Sequence, residues 1–238
     1  MIRSVGRGVV VFAEGDAVFG MNDWFRDGAQ AEYCVARVAD IAAKPQSADH
    51  ALVALTPISA LTAWQDLFDR AQLAAGERVL IHGASGGVGS FAVQLAHRQG
   101  AWVIATAGAH NLELVRSLGA DEVIAYRATP FETVVRDVDV VFDTVGGETL
   151  ARSWAVLKPG GRLITIAATA EQTDDPRLRD AFFIVEPKRA QLPEIARLID
   201  AGELRPLADT VFPLAEARQA YERKPVHGKV ALRIVTAG

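Results

Sequence analysis

The segment 80–96, LIHGASGGVGSFAVQLA, constrains the fold of this chain more than any other part of it. A short apolar stretch at 78–82 runs through a cluster of glycines straight into a segment whose apolar residues have helical spacing. Gly86, Gly87 and Gly89 would let backbone N–H groups approach a phosphate, and the start of a helix adds unpaired donors and a partial positive charge. The segment therefore predicts a strand, loop and helix that cradle a dinucleotide pyrophosphate.

The spacing of this motif is Ala84-x-Gly86-x-x-Gly89. Alanine therefore replaces the first glycine of the dinucleotide-binding pattern Gly-x-Gly-x-x-Gly. A glycine trio alone is a weak signal, and an ordinary glycine-rich turn of a parallel sheet is the alternative interpretation. The apolar strand before the glycines and the helix after them are the context that favours the nucleotide site.

Strand and helix patterns alternate along the middle of the chain. The expected strands lie at 78–82, 102–106, 122–125, 138–143, 162–167 and 182–185, and the expected helices at 87–98, 111–118 and 148–157. This alternation predicts an α/β fold with a doubly wound parallel (Rossmann) sheet. The nearly continuous apolar strands VDVVFD and RLITIA fit a sheet that is covered on both faces.

Both flanks of this region differ from it in pattern. Residues 1–56 contain β-branched and aromatic runs, notably VVVFAEGDAVFG and AEYCVAR at 31–37, and predict strands and loops. A helix is expected at 57–75. Beyond the sheet we expect a helix at 190–201 and another at 214–223, with extended segments at 210–212 and 229–235. The two flanks together predict a second, smaller, β-rich domain.

Composition excludes several classes of partner. The chain has 238 residues with 25 Lys plus Arg against 29 Asp plus Glu, a net charge of −4, and no basic cluster, which argues against nucleic-acid and anionic-membrane binding. The single cysteine, Cys34, cannot form an internal disulfide and is typical of a reducing compartment. No apolar run is long enough to span a membrane and no signal peptide is recognisable, so we predict a cytoplasmic protein without a membrane partner.

The end of the second predicted strand indicates the coenzyme. An NAD-binding sheet usually carries a carboxylate there, but the sequence from Ile104 to His110 is IATAGAH and contains no acid. NADPH is therefore the expected coenzyme, with NADH still possible. Thr106 and His110 are the candidate contacts, although His110 could also be an ordinary exposed histidine at a helix start. Tyr126 closes the third strand and either reaches the adenosine or caps the sheet.

The residue pattern predicts neither a metal site nor a catalytic nucleophile. The five histidines have no ligand spacing and one cysteine cannot build a structural zinc site, so no metal is expected. Tyr33, Tyr126 and Tyr221 each lack the lysine four residues later that a short-chain dehydrogenase would need. No phosphate-loop lysine occurs.

Taken together, several blocks resemble one family nearly from end to end. They are GDAVFGM, PISALTAW, GERVLIHGASGGVGSFAVQLAH, SLGADEVIAYR, VFDTVGGETL, LKPGGRLITI and HGKVALRIV. The chain resembles a zinc-independent medium-chain dehydrogenase/reductase of the quinone oxidoreductase (zeta-crystallin-like) group. The resemblance implies a remnant of a GroES-like catalytic domain at 1–56, a Rossmann domain at 57–200 and a return to the catalytic domain at 201–238. It also implies a homodimer.

The resemblance also implies roles for individual residues. Ser85 to Val88, with Ala84 before them, would line the pyrophosphate, and Thr62 would lie near the nicotinamide. Phe182 and Phe183, with Ile184, would cover the nicotinamide and form the sheet edge through which family dimers pair. The remaining implied contacts with the coenzyme are Val145, Gly146, Ile166, Ala167 and Lys229. The apolar members of this set, Val145, Ile166 and Phe182, would also suit a plain strand end in the core.

Two departures from the family pattern stand out. Gly108 and His110 occupy positions where the family often has serine and then arginine or lysine, so the grip on a 2′-phosphate would be weaker or built differently. The opening MIRSVGRGVVVFAEGDAVFG aligns with the middle of the family's GroES-like domain, so the first strands of that domain and its Asn-Pro-containing loop have no counterpart. We expect either a misassigned start or a shortened protein, with an open strand edge and exposed core.

The resemblance implies an NADPH-dependent oxidoreductase that transfers hydride to a quinone or to another α,β-unsaturated carbonyl. Thr62 is the one candidate donor to the oxygen on which charge develops. A zinc-free alcohol or aldehyde reductase on the same fold is one alternative. The other is a nucleotide-binding protein without turnover, because the substrate pocket would be incomplete.

Overall fold

The computed structural model describes residues 1–25, 28–167 and 175–234. The chain forms two compact units. The sheet unit consists of Thr62–Val185 and Val226–Gly228, and the flanking unit consists of Met1–Leu61, Glu186–Pro225 and Lys229–Gly238. The sheet unit begins at Thr62, five residues after the start at residue 57 expected from the sequence. Its main segment ends at Val185, well before the expected end at residue 200. Helix α7 (Leu192–Asp200) belongs to the flanking unit because it packs on strand β2 (Ile41–Ala43) of that unit.

A five-stranded parallel sheet forms the centre of the sheet unit, with strand order β5-β4-β3-β6-β7. The strands are β3 (Arg78–Ile81), β4 (Trp102–Ala107), β5 (Glu122–Ala125), β6 (Val138–Asp143) and β7 (Leu157–Thr165). The predicted α/β fold with a doubly wound parallel sheet is thereby confirmed.

Three helices of the sheet unit follow the predicted alternation: α3 (Gly87–Arg98), α4 (Leu112–Ser117) and α5 (Gly147–Ser153). A further short helix, α6 (Arg177–Ala181), was not predicted. The helix expected at 148–157 ends its α-helical part earlier, because its last turn is a 3₁₀ helix, Trp154–Val156. Single 3₁₀ turns also precede α4 (Ala109–Asn111) and β6 (Phe131–Thr133).

The central strands are buried on both faces. All six residues of β6 are buried, and Leu80, Ile104 and Val141 have no exposed surface. Each such side chain contributes about 1.5–3 kcal/mol of apolar burial, relative to an exposed position. This burial explains why the strands read as continuous apolar runs rather than as alternating ones.

Two details of the sheet differ from expectation. The segment 182–185 does not form a strand: Phe182 makes a single bridge to Thr165, and its backbone N–H donates to Leu178 O at 3.0 Å, at the end of α6. Strand β7 begins at Leu157, so Pro159-Gly160-Gly161 lies inside the strand rather than at the end of a helix. The register shift between Val138 and Val140 accommodates this longer strand.

Regular structure in the flanking unit is less extensive than expected. Strand β1 (Val18–Gly20) pairs antiparallel with β2, and β8 (Ala208–Pro213) pairs parallel with β9 (Lys229–Arg233). The helices are α1 (His50–Ala54), α7 and α8 (Ala217–Glu222). The expected strand at 31–37 is absent from these described residues, where Tyr33 and Val35 are exposed and bury no apolar face.

Helix α2 (Thr56–Trp64) continues directly into a π-helix, Gln65–Arg70. The apolar spacing that predicted one long helix is kept, since Leu61 and Leu67 are both fully buried. The wider π-helical turn also buries Asp66, whose two carboxylate oxygens have no hydrogen-bond partner among the described residues. An isolated buried carboxyl of this kind is rare in a protein core.

Candidate cofactor site

The strand order places one crevice at the carboxyl edge of the sheet. The chain leaves β3 toward β4 on one side, and β6 lies on the other side of β3, so the order reverses between β3 and β6. In open parallel sheets, ligands bind outside the carboxyl ends of the strands at such a switch point. The loops after β3 and β6 are therefore the place to look for a nucleotide site.

The loop after β3 turns sharply into α3. Gly83 has a φ of +69°, and its carbonyl accepts a hydrogen bond from the Gly86 amide at 2.9 Å. A Cβ at Gly89 would lie 2.8 Å from the carbonyl carbon of Gly83. A side chain at Gly89 would therefore separate the helix from the loop, so the glycine allows this close approach.

The same turn exposes a set of backbone donors. Gly86 is the N-cap of α3, and the Ser90 amide donates to Gly86 O at 3.0 Å as the first bond of the helix. The amides of Gly87, Val88 and Gly89 precede that bond and have no intrahelical acceptor. Three converging N–H groups and the positive end of the helix dipole fit an anion of the size of a diphosphate.

The loop after β6 adjoins the loop after β3. The Thr144 hydroxyl donates to the carbonyl of His82 at 2.8 Å. A Cβ at Gly83 would lie 3.3 Å from Cγ2 of Val145, so the two loops touch. Val145 itself is 53% exposed, which leaves an apolar side chain beside the glycine loop.

Asp143 organises the far side of the crevice. Its buried carboxylate accepts hydrogen bonds from the amides of Val145 at 3.1 Å and Gly146 at 2.9 Å, and from the hydroxyl of Thr165 at 2.8 Å. Burial raises the pKa of this carboxyl, although the three hydrogen bonds act in the opposite direction. Sequence reasoning missed Asp143, although an acid at the end of the apolar strand VDVVFD was an available signal.

The predicted residues after β6 and β7 lie together. Gly146 has a φ of +78°, and a Cβ there would lie 2.8 Å from the carbonyl oxygen of Ala167. The Ile166 amide donates to Asp143 O at 3.2 Å, and the Ala167 amide donates to the hydroxyl of Thr165 at 3.1 Å. The backbone therefore brings Gly146, Ile166 and Ala167 to one edge of the sheet.

Tyr126 and His110 lie at the ends of β5 and β4. The Tyr126 amide donates to Ala107 O at 3.2 Å, and the residue is 53% exposed. The guanidinium of Arg127 lies 5.7 Å from the centre of the Tyr126 ring. His110 is exposed, and its ring lies so close to Gly108 that a Cβ there would be 3.0 Å from Cε1. Both aromatic side chains are thus accessible at this edge.

The hydroxyl of Thr106 contacts a buried histidine of the core. Thr106 is only 4% exposed, and its hydroxyl lies 3.0 Å from Nδ1 of the fully buried His82. Ser153 donates its hydroxyl to Thr149 O, so it accepts from Nε2–H of His82 at 3.0 Å, and Thr106 donates to Nδ1. Burial lowers the pKa of His82 to about 4. The hydroxyl of Thr106 therefore belongs to a neutral core network that the sequence did not reveal.

The other predicted contacts are placed as follows. Phe182 and Phe183 are half-buried, the Phe183 amide donates to Thr165 O at 3.2 Å, and the guanidinium of Arg70 lies 5.0 Å from the Phe183 ring centre. Thr62 is buried in α2. Lys229 lies in β9 of the flanking unit, where burial lowers its pKa. The coenzyme roles of these residues stay predictions.

A short segment near the C-terminus also belongs to this site. The Gly228 amide donates to the carbonyl of Ser85 at 2.8 Å, and Gly228 forms an isolated parallel bridge with Gly86. The carbonyl of Val226 accepts a hydrogen bond from Nδ2 of Asn111 at 2.8 Å. Sequence reasoning selected only Lys229 from this block and missed the three residues before it.

The described residues do not fit a zinc centre. In the ranges that the structure describes, no three His, Cys, Asp or Glu side chains come close enough to hold a metal ion. Cys34 is exposed in the flanking unit. In the same ranges, no helix is both long and apolar enough to cross a membrane.

Comparison with known proteins agrees with this geometry. The family model for zinc-binding dehydrogenases matches residues 118–232. "Probable zinc-binding oxidoreductase, mitochondrial" of Arthroderma benhamiae is 34% identical over 246 residues, which cover 94% of this chain and 74% of that protein. The mitochondrial NAD(P)H oxidoreductase RTN4IP1 of Mus musculus is 32% identical over 275 residues, covering 99% of this chain and 68% of that protein.

Solved structures show the same relationship. The quinone oxidoreductase of Coxiella burnetii superposes with a TM-score of 0.86 at 29% identity, covering 97% of this chain and 76% of that one. The CurK enoyl reductase has a TM-score of 0.84 at 28% identity, covering 98% of this chain and 76% of that one. These likenesses confirm the medium-chain dehydrogenase/reductase family predicted from the sequence blocks: the chain is an oxidoreductase of the zinc-binding dehydrogenase family.

Proposed function

We propose that this chain is an NADPH-dependent oxidoreductase that reduces a quinone or another α,β-unsaturated carbonyl. The observation that carries the proposal is the glycine loop after β3, with the free amides of Gly87, Val88 and Gly89 at the switch point of the sheet. When bound, a reduced nicotinamide supplies the hydride. The residues of the chain hold and orient that group.

The phosphate side of the site supports the choice of coenzyme. Ser85 to Val88 would line the pyrophosphate, with the free amides of Gly87 and Val88 as hydrogen-bond donors to it. His110 and Tyr126 would contact the adenosine side. The end of β4 has no carboxylate to repel a 2′-phosphate, because residues 106–110 are TAGAH. We therefore propose that the site prefers NADPH and that the same glycine loop also binds NADH.

The opposite side would hold the nicotinamide. Asp143 keeps Gly146 and the end of β7 in place, so that Val145, Ile166 and Ala167 can contact the ring and its ribose. Phe182 and Phe183 would cover it. Thr62 would donate a hydrogen bond to the acceptor oxygen on which negative charge develops, because such donors stabilise developing charge.

We further propose that the reduction needs no zinc. The family carries the name of a zinc-binding dehydrogenase. The described residues nevertheless supply no trio of His, Cys, Asp or Glu side chains for a metal. Hydride transfer to the β-carbon of a conjugated carbonyl, between two positioned π systems, does not require a Lewis acid at the carbonyl oxygen. Retention of full activity after treatment with a metal chelator is the expected result.

Stopped-flow mixing of the protein with NADPH and a simple quinone tests the main proposal. We expect NADPH oxidation well above the rate without protein, and a parallel series with an enone should behave similarly. Binding of NADPH without oxidation by any acceptor would assign the chain to nucleotide binding without turnover. Absence of both binding and oxidation would overturn the proposal.

A zinc-free alcohol or aldehyde reductase is the second candidate. It is favoured by the likeness to an NAD-dependent alcohol dehydrogenase, with a TM-score of 0.85 at 28% identity and coverage of 98% of this chain and 80% of that one. Under the first proposal, quinones and enones should be reduced faster than aldehydes at equal concentration. Faster reduction of aldehydes would select the second.

We also propose a homodimer that forms along β7, one of the two edge strands of the described five-stranded sheet. Ile184 is 57% exposed beside the bridge between Phe182 and Thr165, which leaves apolar surface at that edge. Light scattering coupled to gel filtration should give twice the mass of the chain, and Ile184→Lys should shift the protein toward the monomer. A cytoplasmic location stays a prediction.

A further inference from the structure

The three residues Val226–Gly228 form part of the sheet unit, although the chain on both sides of them belongs to the flanking unit. Two hydrogen bonds hold the segment at its ends. Asn111, just before α4, donates to the Val226 carbonyl at 2.8 Å, and the Gly228 amide donates to the Ser85 carbonyl at 2.8 Å. The residue between these two anchors, His227, has little freedom to move away from the carboxyl edge of the sheet.

The ring of His227 carries an unsatisfied nitrogen. Nδ1 is buried, yet it has no hydrogen-bond partner among the residues that the structure describes. A buried polar atom without a partner costs about 1–3 kcal/mol of folding free energy. Native proteins rarely retain such an atom without a reason, and a bound ligand is one such reason.

The two anchors of the segment coincide with the two phosphate positions of a dinucleotide fold. Ser85 and Gly86 belong to the glycine loop, where the pyrophosphate binds. Asn111 follows the end of β4, where the adenosine ribose and its 2′-substituent lie in this fold. A side chain held between the glycine loop and the end of β4 would contact phosphate oxygens of the bound dinucleotide. These oxygens accept hydrogen bonds, most strongly from a donor that can carry positive charge.

We propose that the His227 imidazole donates a hydrogen bond to a phosphate oxygen of the coenzyme and thereby contributes to the selection of phosphorylated nucleotides. This inference rests on the proposed function, because it assumes that the glycine loop binds a dinucleotide. Imidazole suits the role, since its ring nitrogens can each donate when protonated and one donates when the ring is neutral. His227 is a binding residue in this proposal and takes no part in proton transfer.

Titration calorimetry on the full chain tests the proposal with two probes, ADP-ribose and its 2′-phosphorylated form. For His227→Ala we expect at least tenfold weaker binding of one or both probes. Loss confined to the 2′-phosphorylated probe would place the ring at the 2′-phosphate, and equal loss of both would place it at the pyrophosphate. His227→Gln, which keeps a donor, should recover part of the affinity.

His97→Ala is the matched control, because His97 is an exposed histidine in the last turn of α3, at the end opposite the glycine loop. It should bind both probes as the wild type does. The thermal midpoint of ligand-free His227→Ala should equal or exceed that of the wild type, because the substitution removes an unsatisfied buried atom. Wild-type affinity of a folded His227→Ala variant for both probes would overturn this inference alone. Failure of the wild type to bind either probe would overturn the proposed function as well.

Discussion

A carboxylate oxygen of Asp143 lies 2.9 Å from the backbone nitrogen of Gly146 and accepts its hydrogen bond inside the sheet edge. Gly146 has a positive φ and touches Ala167, so this one bond positions the loops after two adjacent strands. Neither residue needs to touch a ligand for the contact to matter. The shape of the crevice after β6 and β7 depends on it.

Asp143→Asn should lower both stability and coenzyme affinity. The amide replaces one acceptor oxygen by a donor, so a buried partner among Gly146, Val145 and Thr165 is left unsatisfied, at a cost of about 1–3 kcal/mol in the free energy of unfolding. Urea denaturation measures this loss. Glu113→Gln, which removes an exposed ion pair with Arg116, should change stability by less than about 0.5 kcal/mol. Equal effects of the two substitutions would contradict the positioning role of Asp143.

Gly87→Asp should abolish tight binding of NADPH. A carboxylate at the first residue of α3 would stand where the pyrophosphate is proposed to bind, and its charge would repel the phosphates. We expect affinity to fall at least a hundredfold in a fluorescence titration, while the circular dichroism spectrum is unchanged. Gly87→Ala adds bulk without charge and should lose less. An unchanged affinity for Gly87→Asp would show that the phosphates bind elsewhere.

His110→Asp should shift the preference from NADPH toward NADH. The new carboxylate would repel a 2′-phosphate and could accept hydrogen bonds from the ribose hydroxyls of NADH. The ratio of the two dissociation constants, measured at constant ionic strength, should change at least tenfold. If the ratio stays at its wild-type value, His110 does not contact the adenosine side.

His82 should make the sheet unit sensitive to acid. Its folded pKa of about 4 lies below the ordinary value of 6.5, so the folded state binds a proton less readily than the unfolded chain. The stability that depends on neutral His82 is therefore complete above pH 6.5 and is lost as the pH falls toward 4, by up to about 1.4 kcal/mol per pH unit. Denaturation at several pH values should show this slope, and His82→Gln should reduce it. The same slope in both proteins would rule out His82 as its source.

Asp66 should make the protein less stable as the pH rises, whereas His82 makes it less stable as the pH falls. Burial in the π-helix raises its pKa to about 8, against 3.8 in the unfolded chain. Folding then requires the carboxyl to remain protonated, so the stability declines as the pH rises from about 4 toward 8. Asp66→Asn carries no ionisable group and should be more stable than the wild type at pH 8, with a smaller difference at pH 5. A lower midpoint for Asp66→Asn at pH 8 would contradict this interpretation.

Much of the sheet unit could be predicted from local patterns. The strand VDVVFD was predicted with its observed bounds because residues buried on both faces leave a continuous apolar run in the sequence. The strand expected at 162–167 is present but begins earlier, at Leu157, and ends at Thr165. The limits of α3 were predicted correctly because glycines mark its start and its apolar spacing marks its face. The expected strand at 31–37 was wrong, because β-branched and aromatic residues form a strand only where pairing and burial are available.

The amino-acid sequence by itself determined the parallel sheet, the glycine loop and the family, since each depends on residues that are neighbours along the chain. Only the tertiary structure decided which distant groups meet at the site. Asp143 with Thr165, His82 with Thr106 and Ser153, and Gly228 with Ser85 are contacts between residues that are far apart along the chain. No local pattern encodes such contacts, because they arise when the strands align and desolvate their polar groups together, and each group must then find its partner in space.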